Sequence, residues 1–352
     1  MLTAALKAEF ITPCFCGGAD QSKPELRTQS IRGQLRWWYR ICGATRDEEA
    51  ELFGSTEKIS PLTVRIAKVN RGPEPFNLND QNNELSTYLW YFLTNQGREC
   101  LPVKTSFELE LKSREKDLLE KGVAVAALWI SLGALGSRST RAAGCMRLVQ
   151  VDCDKADCPQ TKKLADAINE ANEPVSLWDT IKSYLPCKKE KKPFELYRRP
   201  KETSSGLNAA KWLAEKWWEV RRYKFKPPHK SWIIYNGIGR EDHDDAIAAM
   251  NNRLNDDLRV RRVVLGMPYT QNFCNTTLEW KYADGEKFER LASPVHLRPI
   301  YKKDKIYPAL LIFTDRLSDC PNHVYAQRAG KIAVDQYAAI NKVKSICTIQ
   351  EI

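Results

Sequence analysis

Residues 30–40 read Ser30-Ile31-Arg32-Gly33-Gln34-Leu35-Arg36-Trp37-Trp38-Tyr39-Arg40. Arg32, Arg36 and Arg40 are spaced four apart, so on a helix they lie on one face, one above the other. Like charges at this spacing repel each other by about 0.2–0.5 kcal/mol per pair. The segment therefore predicts a helix whose arginine face either holds an anion or extends its guanidinium groups into water.

The opposite face of this helix carries apolar side chains. Leu35, Trp38 and Cys42 recur at three- to four-residue spacing, the pattern of a stripe that faces a core. Ser30 is the expected N-cap because its hydroxyl can accept from the first free backbone N–H groups. We therefore expect the helix to pack through one face and to present positive charge on the other.

The pattern around this helix predicts an alternation of strands and helices. Strands are expected at residues 2–11, 62–69, 105–111 and 146–151, and a second, buried helix at residues 118–135. The order strand, helix, strand, strand, helix, strand is that of a ferredoxin-like unit, an antiparallel sheet with helices on one face. A second, more elaborate unit of strands and helices follows, so the expected class is α+β.

The charge of the chain favours a polyanionic partner. The 352 residues carry a net charge of +11, and basic residues are concentrated in two segments. Residues 21–46 hold six Lys or Arg against one acid, and residues 186–230 hold fourteen against five. The second segment is predicted to be a basic insertion that offers a surface for such a polyanion or for another subunit.

Cysteine and histidine spacing predicts neither a metal site nor a cofactor. The eleven cysteines include no C-x-x-C pair, and none of the four histidines pairs with another at metal-ligand spacing. Scattered cysteines in odd number are typical of free thiols in a reducing cytosol. Lys7 and Glu9 interrupt the apolar part that a signal peptide needs, and the longest apolar run is too short for a membrane span. We therefore expect a cytoplasmic protein that does not contact a membrane.

A second basic element lies between the buried helix and the fourth strand. It reads Gly136-Ser137-Arg138-Ser139-Thr140-Arg141-Ala142-Ala143-Gly144. Glycines let backbone N–H groups approach a phosphate, and an arginine can donate two hydrogen bonds to the oxygens of one phosphate. The alternative is a glycine-rich turn with solvated arginines, which does not explain two arginines and three hydroxyls in five residues.

These elements, in this order, resemble the RAMP superfamily of CRISPR-associated RNA-binding proteins. The resemblance rests on Ile11-Thr12-Pro13, on Gly17-Gly18, on Ile31-Arg32-Gly33-Gln34-Leu35-Arg36 and on the loop that ends at Gly144. Three finer features are similar to the subfamily found in type III-B Cmr interference complexes. They are Arg36-Trp37-Trp38-Tyr39-Arg40, Glu49-Ala50-Glu51-Leu52-Phe53-Gly54-Ser55 and Ala292-Ser293-Pro294-Val295-His296-Leu297-Arg298-Pro299.

The resemblance implies two ferredoxin-like (RRM-like) domains, which we place at residues 1–152 and 153–352, the latter with the basic insertion at about 186–230. It also implies a non-catalytic, RNA-binding subunit of a Cmr ribonucleoprotein. Such a subunit contacts the 3′ region of CRISPR RNA, captures complementary target RNA, or does both, while other subunits cleave. Its expected partners are CRISPR RNA, single-stranded target RNA and other RAMP subunits.

The expected RNA-binding residues fall into three groups. The phosphate contacts are Arg32, Arg36, Arg40, Arg138 and Arg141, with Lys23 and Arg27 as second-rank candidates. Close backbone approach is expected at Gly17, Gly18, Gly136 and Gly144. Trp37 is expected to stack on a base, whereas Trp38, Trp212 and Trp217 are expected in the core.

Two other functions compete with this interpretation. Asp20 lies in the loop after the first strand, roughly where backbone RAMP subunits carry an aspartate linked to target-RNA cleavage. A carboxylate there could hold a cation or act as a base, although aspartate is also common in turns. The third possibility is a purely structural capping subunit, which would show little salt dependence in RNA binding.

Overall fold

The structure is a computed structural model of the whole chain. It describes all residues except 21, 74–75, 77–87, 96–97, 154–158, 172, 188–192, 223, 226–232, 235–236, 252–257, 267–268, 273–276, 283–291 and 327–328. One of the four histidines considered above, His229, lies outside the described residues, as do parts of the basic segment 186–230.

The N-terminal part is a four-stranded antiparallel sheet in the order β2-β3-β1-β4. Its strands are β1 (Leu2–Phe10), β2 (Thr63–Asn70), β3 (Ser106–Ser113) and β4 (Met146–Cys153). Its helices are α1 (Thr28–Ile41), α2 (Arg46–Phe53), α3 (Tyr91–Asn95) and α4 (Lys116–Leu132). The strand order, with long helices after the first and third strands, is the predicted ferredoxin-like arrangement.

Helix α4 is the centre of this part because its sequence is apolar on nearly every face. Twelve of its residues are buried, and it packs against the sheet on one side and α1 and two later helices on the other. A helix that is apolar all round belongs inside a protein. Helix α1 contributes Leu35 and Trp38 to the same core, and its C-cap residue Cys42 joins them; each is at most 2% exposed, as the spacing predicts.

The remaining chain forms five helices and eleven strands within the described residues. The helices are α5 (Pro159–Glu170), α6 (Pro174–Ile181), α7 (Gly206–Arg221), α8 (Ile238–Met250) and α9 (Gln336–Lys344). The strands are β5 (Glu195–Arg198), β6 (Lys224–Phe225), β7 (Ile233–Ile234), β8 (Arg259–Val260), β9 (Tyr269–Asn272), β10 (Thr277–Tyr282), β11 (Val295–Lys302), β12 (Lys305–Ile312), β13 (His323–Ala326), β14 (Gly330–Val334) and β15 (Ile349–Gln350). They form sheets in the orders β11-β12-β5-β15 and β8-β14-β13-β10-β9, with β6 and β7 as a separate pair.

The sheet that contains β12 joins two hydrophobic cores. Along β12 and the residue after it, Ala309, Leu311 and Phe313 pack into the core that contains α1 and α4. Leu310 and Ile312 pack into a second core with α7 and α8. Because strand side chains alternate between faces, a sheet covered on both sides needs a continuous apolar run, and β12 supplies one.

The α+β class with antiparallel sheets and packed helices is confirmed; the pairing of β14 with β8 is parallel. The expected N-cap was wrong: α1 begins at Thr28 after Arg27, and Ser30 lies inside the first turn. Helices α5 and α6 pack against α4, and α5 also against β4, so the domain boundary at 152/153 stays a prediction. Within the basic segment, β5 and α7 pack into the cores, and its role as an insertion stays a prediction too.

None of the helices in the described parts of the chain is both long and apolar enough to cross a bilayer.

Candidate nucleic-acid interface

The arginines of α1 lie beside a carboxylate that comes from α2. Arg36 Nε donates to Glu49 Oε1 at 2.5 Å, and Arg40 Nη1 donates to Glu49 Oε2 at 2.6 Å. Arg32 donates to the Phe53 carbonyl. We call Arg32, Gly33, Arg36 and Arg40 the α1 arginine face, and Glu49 is its internal counter-charge.

Local sequence signals hold Glu49 in this position. Helix α2 starts with a capping box, in which Thr45 Oγ1 accepts from the Glu48 backbone and the Glu48 side chain accepts from the Thr45 backbone. Its last residues, Leu52 and Phe53, are buried in the core that contains α1. The two ends of the helix are therefore anchored, and Glu49 between them faces α1.

One carboxylate compensates the α1 arginine face only in part. Burial by itself would raise the pKa of Glu49, but Arg40 and Arg36 together hold it below its ordinary value, so the carboxylate is ionised at neutral pH. Its side chain is 6% exposed, whereas those of Arg36 and Arg40 are 33% and 46% exposed. The outer edges of the guanidinium groups thus remain open to a second anion.

Gly33 stands on the same side of α1, at the positions i, i+3 and i+7 with Arg36 and Arg40. It is exposed, and a Cβ built on it would have no heavy atom within 4 Å. A glycine inside a helix costs about 1 kcal/mol relative to alanine. Packing within the described residues does not explain why a glycine stands here. The missing side chain leaves room for the backbone or a phosphate of a ligand to approach the helix.

A cavity of about 370 Å³ adjoins this face. It is lined by Arg32 and Arg36 on one side and by Ser55, Lys58 and Ser60 of the segment after α2 on the other. Guanidinium, ammonium and hydroxyl donors in one cleft suit an oxyanion such as a phosphate.

The two loop arginines are placed differently from each other. Arg141 donates to the carbonyls of Thr140 and Val295, each at 3.1 Å, and to that of Leu265 at 3.4 Å. Burial lowers its pKa, and Arg221 lowers it further. Arg138 has a left-handed backbone (φ +60°), and its guanidinium lies over a ring near the surface. Arg141 therefore ties the loop to β11, whereas Arg138 is partly buried against the Phe92 ring, and this burial lowers its pKa.

The loop glycines have reasons inside the protein. Gly136 and Gly144 adopt φ of +87° and +64°, a region that only glycine enters cheaply. A Cβ would lie 2.6 Å from the Phe15 carbonyl oxygen at Gly136 and 1.9 Å from that of Leu135 at Gly144. The close backbone approach that the glycines permit is thus approach to neighbouring chain segments.

The loop after β1 carries the remaining candidates. Gly17 bridges to Pro24, and a Cβ on Gly18 would collide with the Glu25 carboxylate. Lys23 forms a 3.8 Å ion pair with Asp20, and Arg27 is exposed at the start of α1.

Asp20 itself is held in a local turn. Its Oδ1 accepts from the Ser22 backbone at 2.9 Å and from the Ser22 hydroxyl at 2.5 Å. These hydrogen bonds lower the pKa of the carboxyl, which makes it a weaker base. Within the described part of the chain, no group of three His, Cys, Asp or Glu residues is arranged to hold a metal ion.

Trp37 is engaged inside the protein rather than displayed. Its ring stacks on His296 at 6.0 Å and meets the edge of Phe313 at 5.1 Å, while Arg316 lies over it at 5.4 Å. Trp38 and Trp217 are in the core as predicted, at 1% and 0% exposure. Trp212 is partly buried against the second core.

Sequence analysis did not identify most residues of a second cationic site. We call it the aromatic pocket, a cavity of about 410 Å³. It is lined by the rings of Tyr88, Tyr91, Phe92 and Trp217 and by the arginines Arg138, Arg141, Arg221 and Arg222. Two of its arginines, Arg138 and Arg141, were predicted RNA contacts, and tertiary structure brings the other two arginines and the four rings to them.

Two sequence signals could have pointed to this pocket. Residues 88–92 contain four aromatic residues, and Trp217-Trp218 is followed at once by Glu219, Val220 and the doublet Arg221-Arg222. Neither segment is adjacent in sequence to the loop. Trp90 joins residues 88–92 to the loop, because it is fully buried and its Nε1 donates to the Arg141 carbonyl at 2.8 Å.

Comparison with known proteins relates part of this chain to a known superfamily. Residues 7–147 match the model of the RAMP superfamily. The chain is 26% identical over 147 residues to the CRISPR system Cmr subunit Cmr1-1 of Pyrococcus furiosus, covering 37% of this chain and 43% of that protein. It is 29% identical over 181 residues to subunit Cmr1-2 of the same organism, covering 42% of this chain and 96% of that protein. The match thus spans less than half the length of Cmr1-1.

Solved structures extend the likeness of fold to the whole chain. The crystal structure of Cmr1 from Pyrococcus furiosus in its apo form superposes with a TM-score of 0.57 at 15% identity, covering 100% of this chain and 99% of that one. A chain of the type III-B Cmr-beta complex bound to cognate target RNA gives 0.50 at 14% identity, covering 98% of each. The expected RAMP resemblance is confirmed for residues 7–147, which match the superfamily, and part of the chain is similar in sequence to the Cmr1 subunits of Pyrococcus furiosus.

Proposed function

We propose that this chain, whose residues 7–147 match the RAMP superfamily, is a non-catalytic RNA-binding subunit of a type III-B Cmr ribonucleoprotein. It contacts the 3′ region of CRISPR RNA, captures complementary target RNA, or does both. Its protein partners are other RAMP subunits, and it acts in the cytoplasm. The relatives named as Cmr subunits, and the likeness in fold to a chain of a complex bound to target RNA, support the proposal.

The observation that carries the proposal is the α1 arginine face. Arg36 and Arg40 share the one carboxylate of Glu49, Arg32 donates to a backbone carbonyl, and Gly33 leaves the helix surface open beside them. Contacts of this kind bind the phosphates of any RNA sequence, which suits a subunit that holds a guide of variable sequence.

The geometry of Asp20 supports the non-catalytic part of the proposal. Ser22 and Lys23 occupy the carboxylate, and its lowered pKa weakens it as a base. We expect Asp20→Ala to leave RNA cleavage by the assembled complex unchanged. Loss of cleavage with RNA binding retained would instead identify the chain as a ribonuclease.

A structural capping subunit is the second candidate. Arg141 donates to three backbone carbonyls, so one predicted phosphate contact serves the fold instead. Salt dependence separates the two candidates, because each phosphate contact to a single strand contributes about 0.7 to the slope of log affinity against log salt.

The test is the binding of single-stranded RNA across a salt series, by the chain alone and in the reconstituted complex. The variant Arg32→Ala/Arg36→Ala/Arg40→Ala should bind more weakly and with a shallower slope, by up to about 2 if each arginine meets one phosphate. A control of equal charge change is Arg65→Ala/Lys116→Ala/Lys182→Ala, whose side chains are 65%, 38% and 51% exposed. Equal slopes for wild type and both variants would favour the structural cap.

A further inference from the structure

We propose that the aromatic pocket binds one unstacked nucleotide of a single-stranded RNA, with its base against Tyr91 or Phe92 and its phosphate among the arginines. The inference rests on the proposed function and specifies how the RNA is held. It assigns the base contact to residues 88–92, whereas the sequence predicted it at Trp37.

Two rings of this pocket are displayed where a base could reach them. Tyr91 and Phe92 are 39% and 49% exposed, and their centroids are 4.0 Å apart with planes tilted by 40°. Trp90, which is buried, anchors residues 88–92 to the loop that contains Arg141. Large exposed rings on an anchored segment are typical of stacking platforms for single-stranded nucleic acids, because every base offers a π-face.

Guanidinium groups alternate with these rings. Arg138 lies 4.8 Å from the Phe92 centroid, and Arg222 lies 4.5 Å from that of Tyr88. Trp217 has Arg141 at 4.9 Å and Arg221 at 5.8 Å. Arginine beside an aromatic ring extends the stacking surface and supplies donors for the phosphate that follows the base.

The charge of the pocket calls for an anion. The residues that line it include four arginines and no acid. In the described structure no carboxylate lies within ion-pair distance of Arg138, Arg141 or Arg221. Burial and like charge lower the pKa of Arg141. A phosphate that enters beside Arg138 and Arg221 would relieve the repulsion among these groups, because the described structure places no carboxylate within ion-pair distance of either.

The dimensions favour a single strand over a duplex. A cavity of about 410 Å³ lies in the range of small-ligand pockets, about 300–1,000 Å³. In an A-form duplex the bases are stacked on one another and their faces are covered, whereas unstacked bases of single strands bind aromatic side chains. The ligand class is therefore an unpaired ribonucleotide within a chain, without preference for a base.

The experiment compares RNA with and without bases. Oligouridylate and an abasic oligoribonucleotide of equal length are titrated against the full chain, alone and in the reconstituted complex. Phe92→Ala should weaken oligouridylate binding about tenfold and leave abasic binding unchanged. Arg221→Ala should weaken both. Phe92→Trp should restore the base-dependent part, and Tyr337→Ala, a ring 84% exposed on α9, should change neither.

A second measurement does not depend on affinity. Photo-crosslinking of RNA that contains 5-iodouridine should place the adduct on Tyr91 or Phe92. If wild type binds oligouridylate but Phe92→Ala matches it and no adduct forms at residues 88–92, the pocket is refuted while the proposed function stands. If wild type binds no RNA in either setting, the proposed function and this inference both fail.

Discussion

The α1 arginine face and the aromatic pocket differ in how the repulsion between clustered arginines is compensated. On α1, Glu49 binds Arg36 and Arg40 and stabilises the cluster in the absence of any ligand. In the aromatic pocket, rings and backbone carbonyls surround the guanidinium groups, and the lining includes no acid. The α1 arginine face is therefore stabilised without a ligand, whereas we expect the aromatic pocket to gain more stabilisation from a bound anion.

The largest effect on stability is expected from Arg141, the arginine of the aromatic pocket that binds backbone carbonyls. Arg141→Met removes donors from the carbonyls of Val295 and Leu265 and should lower the free energy of unfolding by about 2–3 kcal/mol. Urea denaturation measures the change. Arg138→Met is the control, because the Arg138 guanidinium contacts the Phe92 ring rather than the carbonyls of β11, and the change should cost less than about 1 kcal/mol. Equal losses would contradict the distinction between the two loop arginines.

The counter-charge of α1 gives the next largest effect. Glu49→Gln should cost about 1–2 kcal/mol at pH 7, less than a fully buried pair because both arginines are partly solvated. The same change frees the arginines, so the affinity for single-stranded RNA should rise.

The effect of Glu49 should also depend on pH. Its pKa is depressed in the folded state, so its contribution is complete above the ordinary carboxyl value of 4.5 and is lost as the pH falls through the lower folded value. The stability difference between wild type and Glu49→Gln should therefore shrink in acid. A difference that is constant from pH 7 to pH 3 would show that Glu49 acts through packing rather than charge.

Gly33 tests whether the open face of α1 serves a ligand. Gly33→Ala should raise the free energy of unfolding by about 0.5–1 kcal/mol, because alanine is the better helix former and its Cβ meets no neighbour. The same variant should bind RNA or the assembled complex more weakly. Thermal unfolding and RNA titration measured together decide the matter, and improved stability with undiminished binding would remove the argument from Gly33.

The smallest expected effect is a change in the free energy of unfolding that has opposite signs in the two regions. Arg221→Ala removes one of several like charges from the aromatic pocket and should stabilise the free protein slightly, by about 0.5 kcal/mol. Arg40→Ala removes a partner of Glu49 and should destabilise it. Denaturation at low ionic strength is the measurement, since salt screens both effects. Destabilisation by both variants would mean that the pocket is already compensated.

Local patterns were sufficient for the backbone elements and for one side of α1. The spacing of Leu35, Trp38 and Cys42 predicted the buried face, and the order of strands and helices predicted the antiparallel sheet. The N-cap of α1 was wrong by three residues: Ser30 has good capping chemistry, but the N-cap position is Arg27 and the helix begins at Thr28. The domain limits and the RNA contacts themselves remain predictions.

The partners of the arginines could not be predicted in this way. Glu49 is in another helix from Arg36, and the aromatic pocket joins residues 88–92, 138–141 and 217–222. A hydrophobic period is a property of consecutive residues, so it is legible in the chain. A distance of a few ångströms between distant segments is not.

The sequence by itself determined the elements, the apolar faces that build the cores and the excess of positive charge, because these depend on residue type and local spacing. Tertiary structure decided which arginines meet a carboxylate, which bind backbone carbonyls and which are left beside exposed rings. Electrostatic compensation acts through space over a few ångströms, so only the folded chain sets apart the charges that hold the protein together from those available to RNA.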